Sequence, residues 1–232
     1  MSTIHFVGGE KGGVGKSVVA RLLAQYCIDK RLPFAAVDAD GSHATFTRYY
    51  AEYVRPVDLY KADGADEILT LATDADRRVL VDLPAQSHRS LTAWIDEGGV
   101  FEVAREAAVK MVFWHVIDDG KDSVATLGRL LERYGTGVSY CVVKNLGRGK
   151  DFSLFEGSPV RAAARALNVH VLELTELASS AMQKIDRLDA SFWAAVHNPS
   201  YAPETLTRMD RQRVKVWLQS WYDKLALLGD VI

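Results

Sequence analysis

One glycine-rich segment, Gly8-Gly9-Glu10-Lys11-Gly12-Gly13-Val14-Gly15-Lys16-Ser17, gathers the residues best suited to chemistry. Glycines let a backbone curl until successive N–H groups point inward at an anion. The apolar run Ile4–Gly8 before it reads as a strand. Lys16–Lys30 after it reads as a helix with Val19, Leu22, Leu23 and Tyr26 on one face. A phosphate-binding loop requires that strand–loop–helix setting, and the helix start adds its positive dipole end. Gly12, Gly13, Val14 and Gly15 are then expected to cradle phosphates, with Lys16 on the β- and γ-phosphates and the Ser17 hydroxyl on Mg²⁺. The strict pattern G-x-x-x-x-G-K-[ST] would place its first glycine at residue 10. Glu10 stands there, and a second lysine, Lys11, follows.

Nucleoside triphosphate chemistry also needs carboxylates at the carboxyl ends of neighbouring strands, where the metal and the attacking water sit. Val37-Asp38-Ala39-Asp40-Gly41 and Val81-Asp82-Leu83-Pro84-Ala85 supply them. An aspartate in such a place can instead cap the next helix. Asn145 closes the apolar run Val138–Lys144, and its amide donor and acceptor suit an adenine edge or, equally, a turn before Gly147. The six histidines show no metal-ligand spacing, although His43 and His88 lie near the two aspartate segments. Ser87 and Ser90 lack the setting of a nucleophile elbow.

The loop with its extra lysine resembles the deviant Walker A of the ParA/MinD superfamily of P-loop ATPases, across roughly residues 1–175. The resemblance implies that Lys11 reaches across a homodimer to the partner's ATP. It implies that Asp38 supports the Mg²⁺ shell, that Asp40 orients the attacking water, and that Asp82 is the Walker B aspartate holding Mg²⁺. It further implies slow hydrolysis triggered by a protein partner, with an ATP-bound dimer and an ADP or empty monomer as the two states. Here Gly41-Ser42-His43 follows Asp40 where the family often has Pro-Gln or Gly-Leu. Two shorter stretches, His43-Ala44-Thr45-Phe46 and Thr207–Lys215, look like the TraL/StbB-type ATPases of conjugative plasmids. They imply a role in positioning plasmid DNA or a DNA-transfer complex. Three branches make different demands. DNA binding would use Arg208, Arg211, Arg213 and Lys215. Membrane association would use the stripe Val214, Trp217, Leu218, Trp221, Leu225 and Leu228, which otherwise packs on the sheet. An iron–sulfur protein would need paired cysteines at a dimer face, and Cys27 and Cys141 sit inside apolar segments.

The elements that must position these residues alternate along the chain. Beyond the first strand and helix, strands are expected at Phe34–Val37, Val57–Tyr60, Val79–Leu83, Met111–Ile117, Val138–Lys144 and Val169–Leu172. Helices are expected at Ala65–Thr73, Ser123–Tyr134 and Pro159–Leu167, and the remainder reads as helical, punctuated at Asn198-Pro199 and Pro203. The strands are continuously apolar, hence buried on both faces. The alternation predicts an α/β fold, a mostly parallel twisted sheet with helices on both faces and a helical C-terminal segment. Gly147–Gly157 has no clear period and reads as a loop. No linker or repeat divides the 232 residues, so a single domain is expected. A net charge of −2 gives no global nucleic-acid signature. Reduced thiols, no apolar run of membrane-spanning length and no signal-peptide pattern predict a cytoplasmic protein.

Overall fold

The computed structural model describes residues 1–9, 11–41, 43–198 and 206–232. Glu10, Ser42, Pro199 and Pro203 lie outside the described residues. Among the described residues seven parallel strands form one sheet, in the order β3 (Val54–Pro56), β2 (Phe34–Asp38), β4 (Arg78–Asp82), β1 (Thr3–Gly8), β5 (Lys110–Ile117), β6 (Ser139–Asn145), β7 (His170–Leu174). Every neighbouring pair is parallel. A parallel sheet needs crossover helices on its faces, and the two faces carry separate cores. On one face lie α1 (Lys16–Lys30), α2 (Thr45–Tyr50), α9 (Ser179–Arg187), α10 (Phe192–His197) and α11 (Arg208–Ala226). On the other lie α3 (Ala62–Thr73), α4 (His88–Glu97), α5 (Val100–Glu106), α6 (Lys121–Tyr134), α7 (Ser153–Glu156) and α8 (Pro159–Ala166). Period-two alternation sorts the strand side chains: in β1, Ile4 and Phe6 join the second core and Val7 the first.

The expected α/β architecture is the one observed. One strand is displaced: Val57–Tyr60 is not a strand, and the short edge strand is Val54–Pro56. Asp58 explains the difference, because its carboxylate accepts from the Tyr60 N–H and its carbonyl from the Lys61 N–H, which turns the chain into α3. Pro56 is tolerated because β3 is at the edge. The expected loop Gly147–Gly157 contains the short helix α7.

The apolar stripe of α11 is core: Val214, Trp217, Leu218, Trp221, Leu225 and Leu228 are all buried in the first cluster. Each large side chain there contributes roughly 1.5–3 kcal/mol by leaving water. That face is buried against α1, α9 and α10, which leaves it unavailable to a bilayer. Among the described residues no helix is long and apolar enough to cross a membrane. The start of α11 is fixed by a capping box between Thr207 and Asp210. Asp210 also accepts from Lys184 Nζ at 2.6 Å and Arg213 Nη1 at 3.4 Å. The expected basic cluster is therefore partly neutralised at Arg213, while Arg208 and Lys215 are exposed and Arg211 is half-buried.

Candidate phosphate-binding site

Parallel packing brings the carboxyl ends of β1, β2 and β4 side by side. Val7 is in register with Asp82, and Asp38 with Asp82. The loop between β1 and α1 opens there, so Lys16, Ser17, Asp38, Asp40 and Asp82 converge on one end of the sheet. The loop geometry depends on glycine at particular places. Gly15 has φ +104°, and a Cβ on it would sit 2.3 Å from Asn145 Nδ2. Gly9 has φ +150°, and its Cβ would meet the Val116 carbonyl at 2.8 Å. The first turn of α1 has no side-chain cap and no acidic residue, so its N–H groups are left for an incoming anion. Lys16 is buried to 8% exposure, and its Nζ donates to the Lys11 carbonyl at 3.0 Å, holding it folded over the loop.

Asp82 has the most unusual surroundings. Its side chain is buried, and neither carboxylate oxygen completes a hydrogen bond of normal geometry. Burial pushes its pKa up to about 7; Asp38 and Asp40 add to the rise, and Ser17 and Lys16 oppose it. A buried carboxylate without a partner fits a site built for a cation. Among the described residues no cluster of three His, Cys, Asp or Glu could hold a metal alone. A cation here would also need the Ser17 hydroxyl, phosphate oxygens and water, as Mg²⁺ prefers.

The other expected site residues are present with additional duties. Asp38 Oδ2 accepts from the Thr47 N–H at 2.9 Å and Thr47 Oγ1 at 3.1 Å, and Oδ1 accepts from the Asp40 N–H at 3.1 Å. It thus organises the segment leading into α2 while facing Asp82. Asp40 accepts from the His43 N–H at 3.2 Å and lies 3.2 Å from His43 Nδ1, which brings His43 to the rim. Asn145 is buried against the loop: Nδ2 donates to the Val14 carbonyl at 2.7 Å and Oδ1 accepts from the Gly147 N–H at 3.0 Å. One N–H and one lone pair of that amide remain for a ligand. Beside it a cleft of about 330 Å³ is lined by Gly15, Val18, Leu177, Asp186 and Trp217, among others. Gly15→Ala is expected to destabilise the protein by roughly 2–5 kcal/mol, through strain at positive φ and the clash with Asn145. Chemical denaturation checks this, and the same variant should lose nucleotide binding.

Sequence reasoning missed Asp118. Lys11 is 45% exposed, and its Nζ donates to Asp118 Oδ2 at 2.5 Å within the same chain. Asp118 Oδ1 accepts from Ser123 Oγ and the Gly120 N–H. Burial alone would raise its pKa, but the hydrogen bonds from Lys11, Ser123 and Gly120 outweigh it and hold the carboxyl low. The available signal was its position: Asp118 follows β5 as Asp38 and Asp82 end β2 and β4. Cys27 and Cys141 are both buried, the first with its thiol pushed up to about 12, so neither suits a surface cluster.

A parallel sheet in this strand order, a glycine-rich loop from β1 into α1, and aspartates ending β2 and β4 are the ParA/MinD type of P-loop fold. Comparison with known proteins agrees. The chain is 26% identical over 236 residues to protein TraL of Escherichia coli, covering 97% of this chain and 98% of the relative. It is 26% identical over 166 residues to protein MobD of Acidithiobacillus ferrooxidans, covering 69% and 72%. In fold it matches the septum site-determining protein MinD of Pyrococcus horikoshii OT3, solved with Mg-ADP, at a TM-score of 0.56 and 16% identity, over 100% of this chain and 99% of that one. No protein-family model matches.

Proposed function

We propose that the protein is an ATP-driven dimerising switch that slowly hydrolyses ATP·Mg²⁺, and that it serves the positioning of plasmid DNA or of a DNA-transfer complex. The observation that carries the nucleotide reading is the buried, unpartnered carboxylate of Asp82 facing Asp38 beneath a loop that presents Lys16 and Ser17. The cellular process rests on the likeness to TraL and MobD and on the short TraL/StbB-like stretches.

In this reading the loop amides and Lys16 hold the β- and γ-phosphates, and the first turn of α1 adds its dipole. Ser17 and Asp82 would hold the cation, and Asp38 would support them. Bound Mg²⁺ would neutralise charge developing on the phosphate oxygens. Asp40, kept in place by its contacts with His43, accepts a hydrogen bond from the attacking water and orients it. Lys11 would leave Asp118 to reach the partner's nucleotide, and a second protein would set the rate of hydrolysis. Arg208, Arg211, Arg213 and Lys215 remain the surface for non-specific DNA.

Calorimetric titration with Mg·ATP and Mg·ADP, followed by phosphate-release assays, tests the nucleotide reading. Micromolar binding with slow turnover supports it; no binding of either nucleotide sinks it. If Asp118 restrains Lys11, Asp118→Asn keeps an acceptor for Ser123 and Gly120 but removes the charge that holds the lysine. The ATP concentration giving half-maximal dimer is then expected to fall about two- to fivefold, in line with a partly exposed ion pair. Light scattering across an ATP series measures it, and an unchanged midpoint would show that the pair does not restrain Lys11.

A further inference from the structure

Helix α2 touches both Asp38 and the wall of the cleft beside Asn145. Near its start, Thr47 donates its N–H and its hydroxyl to Asp38 Oδ2. Two residues later, the Tyr49 hydroxyl donates to Asp186 Oδ1 at 2.9 Å. Asp186 belongs to α9 and lines the cleft beside Gly15 and Asn145. Six residues of helix therefore join the aspartate at the phosphate end to the wall of the cleft.

Arg21 locks this arrangement from beneath. It lies on α1, one turn after Ser17, and is 2% exposed. Its Nη1 donates to the same Asp186 Oδ1 at 3.3 Å. Its guanidinium carbon stands 3.5 Å from the centre of the Tyr49 ring and 4.5 Å from that of Phe192. Nε and Nη2 complete no hydrogen bond, so the cation is placed by two ring faces and one carboxylate. A buried guanidinium held this way is expensive to move and resists independent motion of α1, α2 and α9.

The geometry points to Tyr49 and Arg21 as positioning residues that set Asp186 on the cleft wall according to the state of Asp38, making the grip on the base depend on the γ-phosphate. This rests on the nucleotide reading above. Any rearrangement of Asp38 around a triphosphate and its cation must pull on Thr47, and α2 is too short to absorb the movement by bending.

The test is the ratio of affinities for Mg·ATP and Mg·ADP, by calorimetry, in the full chain. Tyr49→Phe keeps the ring beneath Arg21 and removes the hydroxyl. It is expected to lower the ATP-over-ADP preference about three- to tenfold, the net worth of one ordinary hydrogen bond, with the loss falling mainly on ATP. Thr47→Val, which removes the hydroxyl bond to Asp38 and leaves the N–H bond, should lower the same ratio by a smaller factor and serves if Tyr49→Phe folds poorly. Combined with Tyr49→Phe it should lose less than the product of the two single effects, because both weaken one link. A purely structural role would weaken both nucleotides equally, or lower stability alone; an unchanged ratio with normal binding overturns the link. Failure of the unsubstituted protein to bind either nucleotide overturns the nucleotide reading and the link together.

Discussion

Lys16→Ala is expected to weaken binding of Mg·ATP about 30- to 4,000-fold while leaving the fold intact. Truncating one partner of a desolvated charge contact costs about 2–5 kcal/mol, and each 1.4 kcal/mol is a factor of ten. Lys16 is well placed to show an effect of that size. It is buried at the mouth of the loop, its ammonium already folded over the Lys11 carbonyl, so little rotamer freedom remains to be lost on binding. The loop itself depends on Gly9, Gly15 and Asn145 for its shape, so the melting temperature should change little. Calorimetric titration with Mg·ATP measures the loss. A change below tenfold would mean that the loop does not bring Lys16 to the phosphates.

Asp82→Asn is expected to move stability and function in opposite directions. Without nucleotide, Asp82 is a buried carboxylate whose oxygens lack partners and whose neighbours include Asp38 and Asp40. Exchanging it for a neutral side chain of equal size removes that repulsion and the cost of burying charge. The nucleotide-free protein should gain roughly 1–3 kcal/mol. In a chain of this length that is a rise of about 2–12 °C in melting temperature, readable by scanning calorimetry. The same variant should lose the affinity for ATP that Mg²⁺ adds, so titrations with Mg²⁺ and with a chelator should coincide. A fall in melting temperature would show instead that the carboxylate supports the fold.

The chemistry was more legible than some of the scaffold. Loop, Lys16, Ser17, Asp38 and Asp82 were readable because apolar strands of fixed length must end where the ligands are needed, and parallel packing aligns those ends. The Val57–Tyr60 error came from apolar–polar alternation in Val57-Asp58-Leu59-Tyr60, which imitates a strand although Asp58 uses its side chain and carbonyl to turn the backbone. Helix α2 escaped notice because Thr45, Phe46, Thr47, Tyr49 and Tyr50 are β-branched or aromatic and favour strands. A tertiary contact, Asp38 to Thr47, supports its first turn. In α4, by contrast, Leu91, Trp94 and Ile95 fall at helical spacing on the buried face, a pattern present in the sequence. The partner of Lys11 could not be read from spacing, since the pair joins residues 107 apart through the fold. Asn145 suits an adenine edge by residue type, and in the fold its amide donates to the Val14 carbonyl and accepts from the Gly147 N–H. That position suits a turn former as well as a ligand contact.

The central claim is that ATP, and not ADP, joins two copies of this chain. Light scattering with Mg·ATP or Mg·ADP, on the unsubstituted protein and on Asp40→Ala, tests it most directly. The account predicts a dimer with ATP, a monomer with ADP, and a dimer that persists in Asp40→Ala because hydrolysis no longer ends it. ATP binding without a dimer in either protein would contradict it, and would leave a monomeric P-loop nucleotide-binding protein whose Lys11 stays with Asp118.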